Sequence, residues 1–143
     1  LGGGAAARAA AVALDLAGAE VALVGRDAAR VEEAAGELGV RAAALEETQR
    51  AAVVVNATPA GRDGVPGELL AAVSAPAGAL VIDMPYGPGP TALEVLAAER
   101  GWNYVSGREV LLNQGIAQFA AMHGVAPPVR AMAAALGLEE TQS

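Results

Sequence analysis

The chain contains no cysteine and no lysine. The first absence excludes disulfides, thiol catalysis and cysteine-type zinc sites. The second excludes a Schiff base, or a lysine acting as acid or base, within these residues. Aromatic residues are scarce at 3%, and histidine occurs once. No apolar stretch reaches the ~18 residues that a membrane-spanning helix needs. The nine positive charges are all arginine and the formal net charge is −7, which argues against a general nucleic-acid binder and against a basic membrane patch. What the chain does have is small apolar side chains: 54% of its 143 residues are hydrophobic and 37 are alanine. With a mean hydropathy of +0.39 it is not a disordered chain, and its length suits one domain with its own core.

Apolar runs alternate with helical stretches. Short buried strands are expected at Glu20–Val24, Val40–Leu45, Ala52–Asn56, Ala79–Met84 and Trp102–Val105. Helices are expected at 5–17, 28–38, 68–74, 91–100, 108–123 and 127–136, with a polar helical turn at 46–50. Asp27 and Thr91 stand as N-caps, Gly39 as a helix stop, and Pro127 and Pro128 open the last helix. Strands apolar on both faces and separated by helices predict an α/β fold, a Rossmann-like doubly wound parallel sheet.

Gly2-Gly3-Gly4-Ala5-Ala6-Ala7 fits the G-x-G-x-x-G/A pattern. Gly2 allows a tight strand-to-helix turn, Gly4 lets backbone approach a pyrophosphate, and Ala7 keeps the helix close to the sheet. In so alanine-rich a chain, a plain glycine turn is the alternative. After the next strand comes Gly25-Arg26-Asp27, with Arg30 a turn further on. Sites for NAD usually carry a carboxylate there. Gly25 removes it, and Arg26 can pair with a ribose 2′-phosphate, which favours NADP. The alternative is a surface arginine beside a helix cap. Leu1 precedes the glycine turn directly, with no initiator methionine. In this fold a central strand feeds that turn, so Leu1 is expected to be the last residue of a first strand the chain mostly lacks.

These motifs together resemble the shikimate dehydrogenase family. The resemblance is carried by Gly2 to Arg8, by Gly25 to Arg30, by Asn56-Ala57-Thr58-Pro59, and by Asp83 to Thr91, which fits D-x-x-Y-x-P-x-x-T. It extends to Gly107 to Phe119, with Leu111, Leu112, Gln114 and Gly115. It covers nearly the whole chain. It implies NADP-dependent reduction of 3-dehydroshikimate to shikimate in aromatic amino-acid biosynthesis, in the cytoplasm. Gly2, Gly3, Gly4, Ala5 and Ala6 would contact the pyrophosphate, and Arg26 and Arg30 the adenosine phosphate. Asn56, Ala57 and Thr58 would line the cofactor side of the cleft, with Met84 and Gly107 near the nicotinamide. Tyr86 and Gln114 would reach the substrate. The family's catalytic lysine and aspartate belong to an N-terminal substrate domain, so no catalytic residue is assigned here and the fragment alone is expected to be inactive. The partners implied are that domain, packing against residues 108–143, the small-molecule substrate, and a second copy in a homodimer. The chain departs from the family in having Gly25 and Asp27 where Asn and Thr are common, and Met122 where an aromatic is usual.

Asp83 reads as structural, tying its turn by hydrogen bonds to backbone N–H groups. His123 is expected to interact with a helix C-terminus, and no metal-ligand pattern is present. Phe119, Met122 and Met132 read as core. Two other functions stay open: a dinucleotide-binding module without chemistry, and a related dehydrogenase such as one acting on quinate.

Overall fold

The computed structural model describes residues 1–138. Helix α1 (Ala5–Leu16) is followed by β1 (Ala22–Leu23), α2 (Ala28–Leu38), β2 (Arg41–Ala42) and a 3-10 turn (Leu45–Arg50). Then come β3 (Val53–Asn56), α3 (Gly67–Ala71), β4 (Leu80–Asp83), α4 (Ala92–Arg100), β5 (Asn103–Ser106), α5 (Gly107–His123) and α6 (Val129–Ala135). Every pairing is parallel: β1 with β2, and β3 with β4 and β4 with β5. The last five residues of the expected 108–143 helical segment lie outside the described residues.

Local chemistry explains the element ends. The Arg30 N–H donates to the Asp27 carboxylate at 3.1 Å, and Gly39 closes α2 with φ 68°. The Thr91 side chain accepts from Glu94 N–H at 3.3 Å to open α4. Ser106 and Glu109 form a reciprocal capping box at the start of α5. That box moves the helix start one residue before the expected Arg108.

The strands are shorter than the apolar runs that encode them. Between β1 and β3 only Leu1 is in place. The Gly2 N–H donates to Val24 O at 2.7 Å, the Ala57 N–H donates to Leu1 O at 3.1 Å, and the Leu1 amino group donates to Val55 O. Leu1 thus lies between β1 and β3. Beside Leu1, an apolar cleft of about 600 Å³ runs between β1 and β3, lined by Ala7, Ala11, Leu14, Leu23, Val53 and Val55.

Two apolar clusters hold the layers together. Leu70, Val73, Val81, Leu93 and Trp102 pack around β4 and α4, and Ala11, Leu23, Val31, Ala34 and Ala35 pack α1 and α2 on β1. Alanine dominates the second cluster, which lets helix and sheet backbones approach closely. In contrast, α5 buries only Gly107 and α6 buries nothing. Phe119 and Met132 are half-buried, but Met122 is 79% exposed, so it is not a core residue. It lies in the last turn of α5, a helix that packs mainly on β5 and α6. Among the described residues, no helix is long and apolar enough to cross a membrane.

Candidate functional site

The glycine turn joins Leu1 to α1 at the point where the strand order reverses, with β1 and β2 on one side and β3, β4 and β5 on the other. Such a switch point is where doubly wound sheets open a crevice. Gly2 has φ +112°, a conformation that disfavours any Cβ, and a Cβ there would stand 3.0 Å from Thr58 Cγ2. A Cβ on Gly3 would meet the Arg30 carbonyl at 3.2 Å, whereas the nearest atom to one on Gly4 is Arg30 Nη2 at 3.8 Å. Gly4 therefore leaves open space over the helix end. It is also the N-cap of α1 and offers no side-chain cap, so the first-turn N–H groups have no protein acceptor at that cap. Ala5 and Ala6 are exposed beside this end, and Ala7 is buried against the sheet. Arg8 turns away: its Nε donates to Gly3 O at 3.4 Å and its guanidinium pairs with Glu37.

Beyond the end of β1, Gly25 packs closely against Val31. A Cβ there would stand 2.9 Å from Val31 Cγ2 and 3.8 Å from Gly2 Cα. Arg26 and Arg30 are exposed on the same rim. The Asp27 carboxylate is engaged in capping α2, so it is directed at the Arg30 N–H. Gly2, Gly3, Gly4, Gly25, Arg26, Arg30, Ala57 and Thr58 line one cleft of about 1260 Å³. Arg62 lines it too, a residue the sequence reading passed over. Its Nε donates to Tyr86 O at 3.1 Å and ties the two loops beyond β3 and β4. No motif marks it; only the fold brings it there.

Asn56 does not line the cleft with its side chain. It is fully buried below the loop, where Nδ2 donates to Asp83 Oδ1 at 2.7 Å and to Ala60 O at 3.2 Å. Its Oδ1 accepts from Thr58 N–H at 3.1 Å and from Thr58 Oγ1 at 2.7 Å. Asp83 is equally buried. Its Oδ2 accepts from Thr91 Oγ1 at 2.5 Å and lies 3.5 Å from the Tyr104 hydroxyl. The Thr91 and Tyr104 hydroxyls are 3.0 Å apart. The role of Asp83 is structural as expected, but its partners are side chains, not the backbone N–H groups of its turn. Burial pushes the Asp83 carboxyl above the usual carboxylate range, and the bonds from Thr91, Asn56 and Tyr104 oppose that push. Burial also raises Tyr104 to about 12, which keeps its hydroxyl protonated.

The other expected residues do not line this cleft. Met84 follows β4 and donates its N–H to Asn56 O at 3.0 Å. Gly107 begins α5 directly against the Met84 and Pro85 carbonyls. Arg108 Nη2 donates to Gly87 O at 2.7 Å, which pins α5 to the loop carrying Tyr86. Tyr86 is 43% exposed on that loop. Gln114 is exposed two helical turns above Gly107, and seven residues return a helix to nearly the same side. His123 ends α5 with its ring 4.5 Å from that of Phe119.

The site therefore pairs an uncapped helix end with two exposed arginines, Arg26 and Arg30, on the same cleft. The open space at Gly4 and the uncapped N–H groups fit a dinucleotide pyrophosphate.

A family description, the shikimate 5'-dehydrogenase C-terminal domain, matches residues 107–136. The chain is 42% identical over 137 residues to the shikimate dehydrogenase (NADP(+)) of Acidiphilium cryptum, covering 90% of this chain and 48% of that protein. It is 37% identical over 134 residues to that of Caulobacter vibrioides, covering 89% and 47%. Among solved structures, the shikimate 5-dehydrogenase of Thermus thermophilus in complex with NADP(H) and shikimate aligns with a TM-score of 0.82 at 33% identity, over 95% of this chain and 52% of that one. The ligand-free 5-ketofructose reductase of a Gluconobacter strain aligns at 0.73 with 26% identity, over 95% and 53%. The chain spans about half the length of the relatives it matches. In sequence along most of its length and in fold, this chain is similar to shikimate dehydrogenases over about half of their length.

Proposed function

We propose that this chain supplies the NADP-binding half of an oxidoreductase that reversibly reduces 3-dehydroshikimate to shikimate. The observation that carries this reading is the cleft at the switch point of the sheet. There the uncapped end of α1, the glycine turn and the exposed Arg26 and Arg30 face one space. The similar Thermus thermophilus enzyme, solved with NADP(H) and shikimate, supports it.

Bound NADPH supplies a hydride. The N–H groups at Gly4 to Ala6 hold the pyrophosphate, while Arg26 and Arg30 take the 2′-phosphate by charge-assisted hydrogen bonds. Thr58 and Ala57 bound the opposite wall, with Asn56 shaping them from beneath. Met84 and Gly107 set the depth of the nicotinamide end. Tyr86 and Gln114 reach substrate hydroxyls. The group that moves the proton belongs to a substrate domain that packs against the weakly buried α5 and α6, because this chain has no lysine and its one histidine closes α5.

The experiment is steady-state and binding work on the full-length protein. Tyr86→Phe and Gln114→Ala are expected to lower kcat/KM for shikimate by about tenfold or more, the cost of one lost polar contact. Their NADPH affinity stays within about twofold of wild type. Normal kinetics in either variant would remove that residue from the site. Quinate and 5-ketofructose belong in the same assay, since a 5-ketofructose reductase shares the fold. Nucleotide binding with no turnover of any of the three would favour a binding module.

A further inference from the structure

We infer that Asp83 is a positioning residue: through the Asn56 carboxamide it sets the conformation of the 57–61 loop against which the glycine turn rests. Nothing about Asp83 suggests contact with a ligand, because it is fully buried at the C-terminal end of β4. Its influence comes from its two oxygens, which accept from Asn56 Nδ2 and from Thr91 Oγ1. A carboxylate has acceptors only, so each polar neighbour must donate to it.

That requirement fixes an amide orientation that Asn56 could otherwise take either way. Nδ2 must face Asp83 Oδ1, 2.7 Å away, and Oδ1 must then face the loop. Facing the loop, Asn56 Oδ1 collects both the N–H and the hydroxyl of Thr58. The Thr58 hydroxyl in turn accepts from Ala60 N–H at 3.2 Å. Gly61 O accepts from Ala92 N–H at 2.9 Å and closes the far end of the loop. The product is a rigid surface whose Thr58 methyl lies 3.0 Å from the position a Gly2 Cβ would take. A reversed carboxamide would present N–H groups to the Thr58 N–H, and the loop would lose that bond.

On its other side, Asp83 obliges Thr91 to donate, which leaves the Thr91 oxygen free to accept from Glu94 N–H and Tyr104. One buried carboxyl group therefore contacts Asn56 on β3, Thr91 at the cap of α4 and Tyr104 on β5, but only the Asn56 branch reaches the cleft. The effect on nucleotide binding rests on the function proposed above; the effect on the loop does not.

Amide hydrogen exchange on the full-length protein reads the loop directly. Asp83→Ala is expected to speed exchange at Thr58 and Ala60 by about tenfold more than at β4 amides, which report global opening. The double variant with Asn56→Ala is expected to be no faster than Asn56→Ala alone, since the two residues act in series. Tyr104→Phe, on the far side of the carboxylate, leaves the Thr58 and Ala60 rates within about twofold of β4 behaviour. If Asp83→Ala does not fold, Asp83→Asn replaces it. Losing the charge halves the strength of the bond and gives about a threefold local increase. NADPH affinity should weaken in the same order. Loop rates that change only in step with β4, or additive effects of the Asp83 and Asn56 changes, would overturn the inference. A wild-type protein that binds no dinucleotide refutes the functional proposal, and the exchange rates still decide the role of Asp83.

Discussion

Gly107→Ala is expected to destabilise the folded chain by about 3 kcal/mol or more, the upper range for overpacking a site that cannot relax. A Cβ at this position would lie 2.2 Å from Met84 O, 2.7 Å from Pro85 O and 2.8 Å from Met84 C. All three are backbone atoms, so no rotamer change relieves the overlap. Backing α5 away would strain the β4–β5 register, in which Asp83 stands beside Ser106, and stretch the bond from Arg108 to Gly87. Gly36, in the interior of α2, is the contrasting case, with no atom within 4 Å of its Cβ position. There alanine should stabilise by about 0.5–1 kcal/mol through helix propensity. Urea unfolding of both variants checks the pair, and equal midpoints for Gly107→Ala and wild type would show that the α5 start is not held as closely as described.

Arg26→Ala is expected to weaken NADP binding by ~1.5–3 kcal/mol, roughly tenfold to 150-fold, and to leave NAD binding nearly unchanged. The figure is that of a hydrogen bond to a charged group. Arg26 is exposed on the cleft rim, and among the described residues the ion pairs of arginine involve Arg8 and Arg41 instead. The neighbouring Asp27 is turned to its helix cap. Arg30 differs from Arg26, because its aliphatic stem also packs on Gly3, 3.3 Å from that residue's Cβ position. Removing Arg30 therefore mixes lost charge with lost packing. Because Arg26 is solvated, its discrimination should shrink as salt is added. Fluorescence titration of both cofactors against both proteins measures it, and an equal loss for NADP and NAD would refute a role at the 2′-phosphate.

Local signals were legible where one residue could announce them. Asp27 and Gly39 bracket α2 at the expected residues, because a cap and a left-handed glycine act within a single turn. The S-x-x-E box at Ser106 and Glu109 was equally available in the sequence and marks the true start of α5. Met122 was misread because apolar character alone does not say whether a neighbour exists to bury it. The expected strand at 20–24 reduced to two paired residues, since a ladder needs a partner and β2 is itself only two residues long.

By itself the sequence determined the alternation of strand and helix, the glycine turn and the Gly25-Arg26 pair after β1. Each depends on residue type and short spacing, which physics reads locally. Tertiary structure alone decided which of these residues share a space. It put Asn56, Asp83, Thr91 and Tyr104, spread over nearly fifty positions, into one buried network, and placed Arg62 on the cleft rim. It also left Tyr86 and Gln114 out of the lining of that cleft. The reason is that hydrogen-bond partners and burial are set by parallel strand register, which brings distant residues together without any trace in the spacing of the chain.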